Sequence, residues 1–335
     1  MKNIAKKYPV ITFLIITFLW TWLLWFIAVP YRGQSLLVMS IVMLGGFGPA
    51  IGGIITLGLK NNSRPDFSSK RLVAMMISSI IIFGLMAMRY KVGNIPNYET
   101  LAENLELSLP IILISMVTSL VGGWVISSAV SKNIDIRRRM SSILPARLPV
   151  GWTILGFSFY PLMIMAGWGL SSILGMDVEY PGLWGQPILE VLPIYLLSFG
   201  LTALAQGGNE EPGWRGVMQP ELQKRFSPLV AAIIVSLFWS LWHLPLYLNG
   251  FYPGDLVGGM LGGAIFRVML AIFLAWFYIR SKGNLFLMII LHTSFNLMVN
   301  FLPTSDMGLM VLWIIVTVVV VVKDKMYKKI TNEYE

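Results

Sequence analysis

Long apolar runs alternate with short polar connections along the whole chain. A helix that crosses a bilayer needs about 20 mostly apolar residues, because the hydrocarbon layer is about 30 Å thick and offers no water to the backbone. About ten runs approach or meet that requirement. They cover approximately Pro9–Val29, Leu36–Gly58, Leu72–Met88, Leu109–Val130, Val150–Leu174, Ile188–Gln206, Leu229–Leu248, Leu256–Ile279, Leu285–Leu302 and Leu309–Val322. The pattern predicts an all-α, polytopic helical membrane protein. The first run follows a basic start and lacks a small-residue cleavage site after a short apolar core, so it reads as an uncleaved span.

The charges test this segmentation. Lys2, Lys6 and Lys7 precede the first run; Lys60, Arg64, Lys70 and Arg71 follow the second; Lys132, Arg137, Arg138, Arg139 and Arg147 follow the fourth. Arg215, Lys224 and Arg225 follow the sixth, Arg280 and Lys282 the eighth, and Lys323, Lys325, Lys328 and Lys329 the tenth. The alternate connections hold only Arg32, Arg89 and Lys91, and they carry the acids Glu99, Glu103, Glu106, Asp177 and Glu179. This alternation is what the positive-inside rule produces, and it places both termini in the cytoplasm of, by expectation, a bacterial cell membrane.

Composition narrows the function classes. The chain of 335 residues is 56% hydrophobic and 12% charged, against about 25% charged for a soluble domain. Its net charge of +9 sits in short clusters between apolar runs, so it signals orientation rather than nucleic-acid binding. The absence of cysteine excludes disulfides, thiolate metal sites and thiol nucleophiles. Asn94–Leu107 reads as a polar outer loop or surface helix, and Ser131–Pro149 as a basic segment on the inner leaflet. Glycines at 45, 46, 48, 52 and 53, and at 258, 259, 262 and 263, predict close helix packing. Trp20, Trp22, Trp25, Tyr31 and Trp184 suit an interfacial belt.

Chemistry concentrates after the sixth run, in Gly207–Gly216, which reads Gly-Gly-Asn-Glu-Glu-Pro-Gly-Trp-Arg-Gly. Ionisable groups near a bilayer are functional candidates by default. In a helix, adjacent residues point about 100° apart, so Glu210 and Glu211 face different neighbours. Glu211 and Arg215, four apart, can pair; Glu210 is then the free acid, able to take a proton from water in a low-dielectric site. A solvated helix end is the plain alternative. The only two histidines, His243 and His292, both lie inside apolar runs. His243 follows Trp239 by one turn, and His292 shares a face with Asn296, where two donors could hold an oxyanion. Each could instead be interhelical glue. Together they suggest one polar cavity open to the cytoplasm, with either a Glu/His-activated water or a metal held by His and Glu. In that picture residues 216–226 form an interfacial helix.

Glu-Glu-x-x-x-Arg at Glu210–Arg215, aromatic-x-x-x-His at Trp239–His243 and His-x-x-x-Asn at His292–Asn296 resemble, in order and spacing, the CPBP family of intramembrane proteases. That family includes CAAX proteases and bacteriocin-processing or bacteriocin-immunity proteins (the Abi domain). The resemblance covers about Ile188–Leu302. It implies an intramembrane endopeptidase acting on a membrane-associated peptide or protein, with membrane lipid as its other partner. Glu210 and His243 would activate water, His292 and Asn296 would stabilise the oxyanion, and Glu211, Arg215 and Trp239 would support the site. Trp239 stands where the family often has Phe. Zinc on Glu210, His243 and His292 and a metal-free mechanism both remain open. The implied organisation is an N-terminal transmembrane region at 1–187, a protease core at 188–302, and a last span with a basic tail at 303–335. Two other classes remain: a non-catalytic immunity or scaffold protein of the same fold, and a small-solute transporter using Glu210, His243 and mid-span Arg267.

Overall fold

The computed structural model describes residues 2–92, 105–145 and 148–329. Among them eight helices are long and apolar enough to cross a membrane, and two further apolar helices are shorter. These match the ten expected runs. We number the main helices α1 Pro9–Ile27, α2 Ser35–Gly45, α3 Gly48–Lys60, α4 Ser69–Val92, α5 Leu105–Ser127, α6 Val150–Ile173, α7 Ile188–Ala205, α8 Pro228–Trp242, α9 Leu256–Arg280, α10 Leu285–Met298 and α11 Asp306–Lys323. The second run is thus two helices, broken at Gly46–Phe47. The polar connection expected at Asn94–Leu107 lies mostly outside the described residues.

Connections that share a charge class meet one another. Lys60 pairs with Glu221 (2.6 Å), and Asp66 accepts from the Lys132 backbone N–H and the Ser131 hydroxyl. Arg139 donates to the Tyr278 hydroxyl, Ser142 to the Gly283 carbonyl. Leu229 N–H reaches the Met326 carbonyl, and Arg280 pairs with Asp324. These contacts join one end of the bundle, called here the basic end. At the far end Glu179 and Thr304 exchange backbone hydrogen bonds, and Asn249 donates to the Trp25 carbonyl. The alternating charge pattern therefore sorts the connections onto two ends, as a sequence of full crossings requires.

Small residues set the closest contacts. A Cβ on Gly48 would lie 2.1 Å from Thr21 Oγ1, and one on Gly52 2.3 Å from Thr17 Oγ1, so α1 and α3 touch along their backbones. A Cβ on Gly213 would meet the Pro49 carbonyl oxygen at 2.1 Å. That contact seats the acid-bearing segment on α3. The glycines of α9 serve a different purpose: Gly259 lies against Tyr247 and Gly263 against the Arg267 guanidinium, while Gly262 faces open space.

The expected tryptophan belt is partly wrong. Trp25 is 2% exposed and donates to the Val42 carbonyl, Trp20 donates to Leu44 and Trp22 to Trp242. An indole N–H inside a bundle needs an acceptor, and carbonyls near helix ends supply one here. Tyr31 and Trp184 remain exposed, as expected. The basic segment after α5 contains a short helix, Ile134–Met140, capped by the Asn133 side chain.

Candidate active site

Residues 188–223 form a single crossing of 36 residues. A straight helix of that length would run about 54 Å, far more than the bilayer core. The chain shortens it by breaking at Gly207, whose φ of 126° only glycine adopts readily. The Gly207 N–H donates to Asn209 Oδ1 (2.8 Å). A 3₁₀ turn at Gly208–Glu210 follows, then an α turn at Glu211–Gly213, a π turn at Trp214–Met218 and a last α turn at Gln219–Gln223. Pro212 falls in the second position of its turn, still among the first N–H groups that lack an intrahelical acceptor, so its missing N–H is tolerated. Residues 207–219 are all buried.

The two acids face apart, as expected. Glu211 Oε1 accepts from His292 Nδ1 (2.7 Å) and Arg215 Nη1 (3.2 Å), and all three side chains are buried. The Arg215 guanidinium lies 4.7 Å from the Trp239 ring, a cation–π contact. Glu210 is held rather than free: its Oε2 accepts from Trp239 Nε1 (2.7 Å) and Trp214 Nε1 (3.3 Å). Trp214 was not anticipated, although it follows Glu210 by four residues, the spacing that makes such a contact.

His243 ends α8. Its backbone N–H bonds to Ser240, which leaves the Trp239 carbonyl for the His243 ring at 2.7 Å from Nδ1. A carbonyl only accepts, so Nδ1 carries the proton and Nε2 has the free lone pair. On α10, the buried His292 commits Nδ1 to Glu211, while Asn296 Nδ2 donates to the Gln206 carbonyl (3.3 Å). A Cβ placed on Gly207 would lie 2.4 Å from Asn296 Nδ2 and 3.2 Å from His292 Nε2. Both nitrogens therefore converge beside the Gly207 backbone, and glycine leaves room there.

Glu210, Trp239, His243, His292 and Asn296 line one cavity of about 480 Å³, a size suited to a peptide segment or small ligand. Glu210 is its only acid among the described residues. Arg267 and Arg89 line it as well; Arg267 lies 6.0 Å from the Tyr252 ring, and its Nη1 has no hydrogen-bond partner in the protein. Tyr252 stacks on His243 (5.8 Å between centroids). Trp25, Val42 and Gly46 complete the wall from α1, α2 and the break after it, so helices that carry no family motif shape the cavity.

Two expectations about placement are corrected. Residues 216–219 are buried inside the bundle rather than lying on an interface, and the chain surfaces only at 224–226. Glu210 is 13 residues from the basic end of its segment and His243 is 15 from the start of α8; at 1.5 Å per residue both lie about 20 Å deep. The lining of the cavity also does not reach the basic end. Its outer residues are Arg89, Phe251, Tyr252 and Asn300, which belong to the far end. Glu221, Lys60, Arg139 and Arg280, which join the basic end, do not line it.

A zinc site would need Glu210, His243 and His292 around one ion. Among the described residues no group of three His, Asp or Glu side chains is arranged to hold a metal. Both histidines commit Nδ1 and keep Nε2 available, as metal-bound histidines also do, so the chelator arm of the test below decides between zinc and a metal-free water.

Residues 192–298 match the family described as Type II CAAX prenyl endopeptidase Rce1-like, and every candidate site residue named above from the motifs falls inside that range. The chain is 32% identical over 127 residues to CAAX prenyl protease 2 of Methanococcus maripaludis, covering 35% of this chain and 47% of that protein. It thus spans about half the length of the curated relative it matches. Over residues 192–298, then, this helical membrane protein is similar to the Rce1-like CAAX prenyl endopeptidases.

Proposed function

We propose that the chain is an intramembrane endopeptidase that hydrolyses a peptide bond of a membrane-associated peptide or protein with a water activated by Glu210 and His243. The observation that carries this reading is the convergence of one acid and two histidine rings on a single buried cavity. A water there can donate one hydrogen bond to Glu210 and the other to His243 Nε2, which points its lone pairs at a substrate carbonyl. Glu210 takes the proton as oxygen attacks the carbonyl carbon. The tetrahedral oxyanion then lies beside Gly207, within reach of Asn296 Nδ2 and of His292 Nε2, which donates when the ring carries a second proton. When the C–N bond breaks, Glu210 returns the proton to the amine. Glu211 and Arg215 fix the His292 ring, and Trp239 fixes Glu210. Arg267 and Arg89 give the cavity a positive wall suited to an anionic substrate group.

The test is cleavage of a membrane-peptide pool by purified protein, read by mass spectrometry, for wild type, Glu210→Ala and His243→Ala, each with and without chelator. Cleavage by wild type alone, unaffected by chelator, supports a metal-free water. Chelator sensitivity would return the donors to a zinc role. Equal peptide patterns from all three folded proteins would favour a scaffold or immunity role.

A further inference from the structure

We infer that the cavity receives its peptide from the extracytoplasmic side of the membrane. The inference rests on the endopeptidase reading for what enters, but its geometry stands apart from catalysis. Taken over whole crossings, the residues that line the cavity lie at mid-depth or nearer the far end; in the 36-residue crossing at 188–223 they run from Ser198 to Glu210. On α1 the lining residue is Trp25, close to the C-terminal end of the helix. From α4 it is Arg89, again near the C-terminus, whereas α9, which starts at the far end, contributes Gly263, Phe266 and Arg267 from its first half and Leu270 just past its middle. On α10 the lining residues begin at His292 and continue through Asn296 toward Asn300. The floor is Glu210 and His292.

Beneath that floor the bundle is closed. Glu211, Arg215 and Gln219 are fully buried, and the Lys60–Glu221, Arg139–Tyr278 and Arg280–Asp324 contacts tie the helices together at the basic end. Positive charge sets orientation: lysine and arginine in short connections stay in the cytoplasm. Seventeen Lys and Arg, counted over the connections and chain-end turns at that end between Lys60 and Lys329, contrast with Arg32, Arg89 and Lys91 at the other. The end with the cavity mouth is therefore the extracytoplasmic one. A peptide presented from the cytoplasm would meet the closed floor, whereas a segment of an exported or outward-facing peptide meets the mouth.

The chain has no cysteine, so single cysteines report sidedness cleanly. Asn300→Cys at the mouth, Asp177→Cys elsewhere on the far end and Lys224→Cys at the basic end all replace exposed side chains outside the proposed machinery. Intact cells expressing each variant are treated with a membrane-impermeant maleimide, before and after the membrane is opened. The expected result is labelling of Asn300→Cys and Asp177→Cys in intact cells, and of Lys224→Cys only after opening. Labelling of Lys224→Cys alone in intact cells, or of all three together, overturns the inference. Adding Glu210→Ala to Asn300→Cys leaves its labelling unchanged, so loss of the peptidase reading and loss of the orientation are told apart.

Discussion

Replacing Glu211 by Gln tests the buried centre of the site most sharply. The carboxylate is fully buried and its Oε1 serves both Arg215 and His292. Arg215 is also fully buried, and its Nε and Nη2 have no other protein acceptor. Neutralising Glu211 leaves that guanidinium with only the Trp239 ring. Breaking a buried pair from one side costs about 3–5 kcal/mol, because the remaining charge stays desolvated. At roughly 2 °C per kcal/mol for a chain of this size, the melting temperature in mild detergent falls on the order of 6–10 °C. Arg215→Met alone costs a similar amount. The double variant, which buries no charge in this pair, loses much less than the two single losses added together. Thermal unfolding of the four proteins by intrinsic fluorescence completes the cycle. Additive losses, or a Glu211→Gln protein as stable as wild type, would show that the two charges do not meet in the folded state.

Other outcomes follow from the same geometry. Asn296→Ala removes one proposed oxyanion donor and lowers kcat by about 10²–10³ with KM little changed; a matching rise in KM would move Asn296 to substrate binding. Gly207→Ala both strains a φ of 126° and places a methyl 2.4 Å from Asn296 Nδ2, so activity is lost and the protein is destabilised by at least about 1–3 kcal/mol; a stable, active variant would refute the assignment of that spot to the oxyanion. Asp66 is opposed by burial, but the backbone N–H groups of Lys132 and Ser68 more than offset it and hold the carboxyl well below its usual range. Its stabilising contribution is full above about pH 4 and fades as pH falls further. The stability gap between wild type and Asp66→Asn therefore narrows in acid, and a gap that widens there contradicts the contact.

Much of the fold was legible because the bilayer imposes a simple rule on sequence. Apolar length marks the spans, and lysine and arginine mark one end; the ion pairs and hydrogen bonds between connections then fall where that alternation puts them. The pair Glu211–Arg215 and the turn joining Trp239 to His243 were legible from helical spacing alone. The path of residues 207–223 was not. Its charges resemble a surface connection, and only the backbone break at Gly207 and the close seat of Gly213 on Pro49 bring them inside. Trp25 resembled a lipid-interface residue because sequence does not reveal which face of α1 meets α2. Nor does sequence show which end of a cavity is open, since that depends on helices far apart in the chain.

The most direct measurement of the central claim is kcat/KM for wild type and Glu210→Gln on one peptide identified from the pool, with melting temperatures measured in parallel. Glu210→Gln keeps the side-chain shape and an acceptor for the Trp239 and Trp214 indoles while removing the base. The account predicts a fall of about 10²–10⁴ in kcat/KM for a protein that melts close to wild type. Equal kcat/KM values from two equally folded proteins would contradict it.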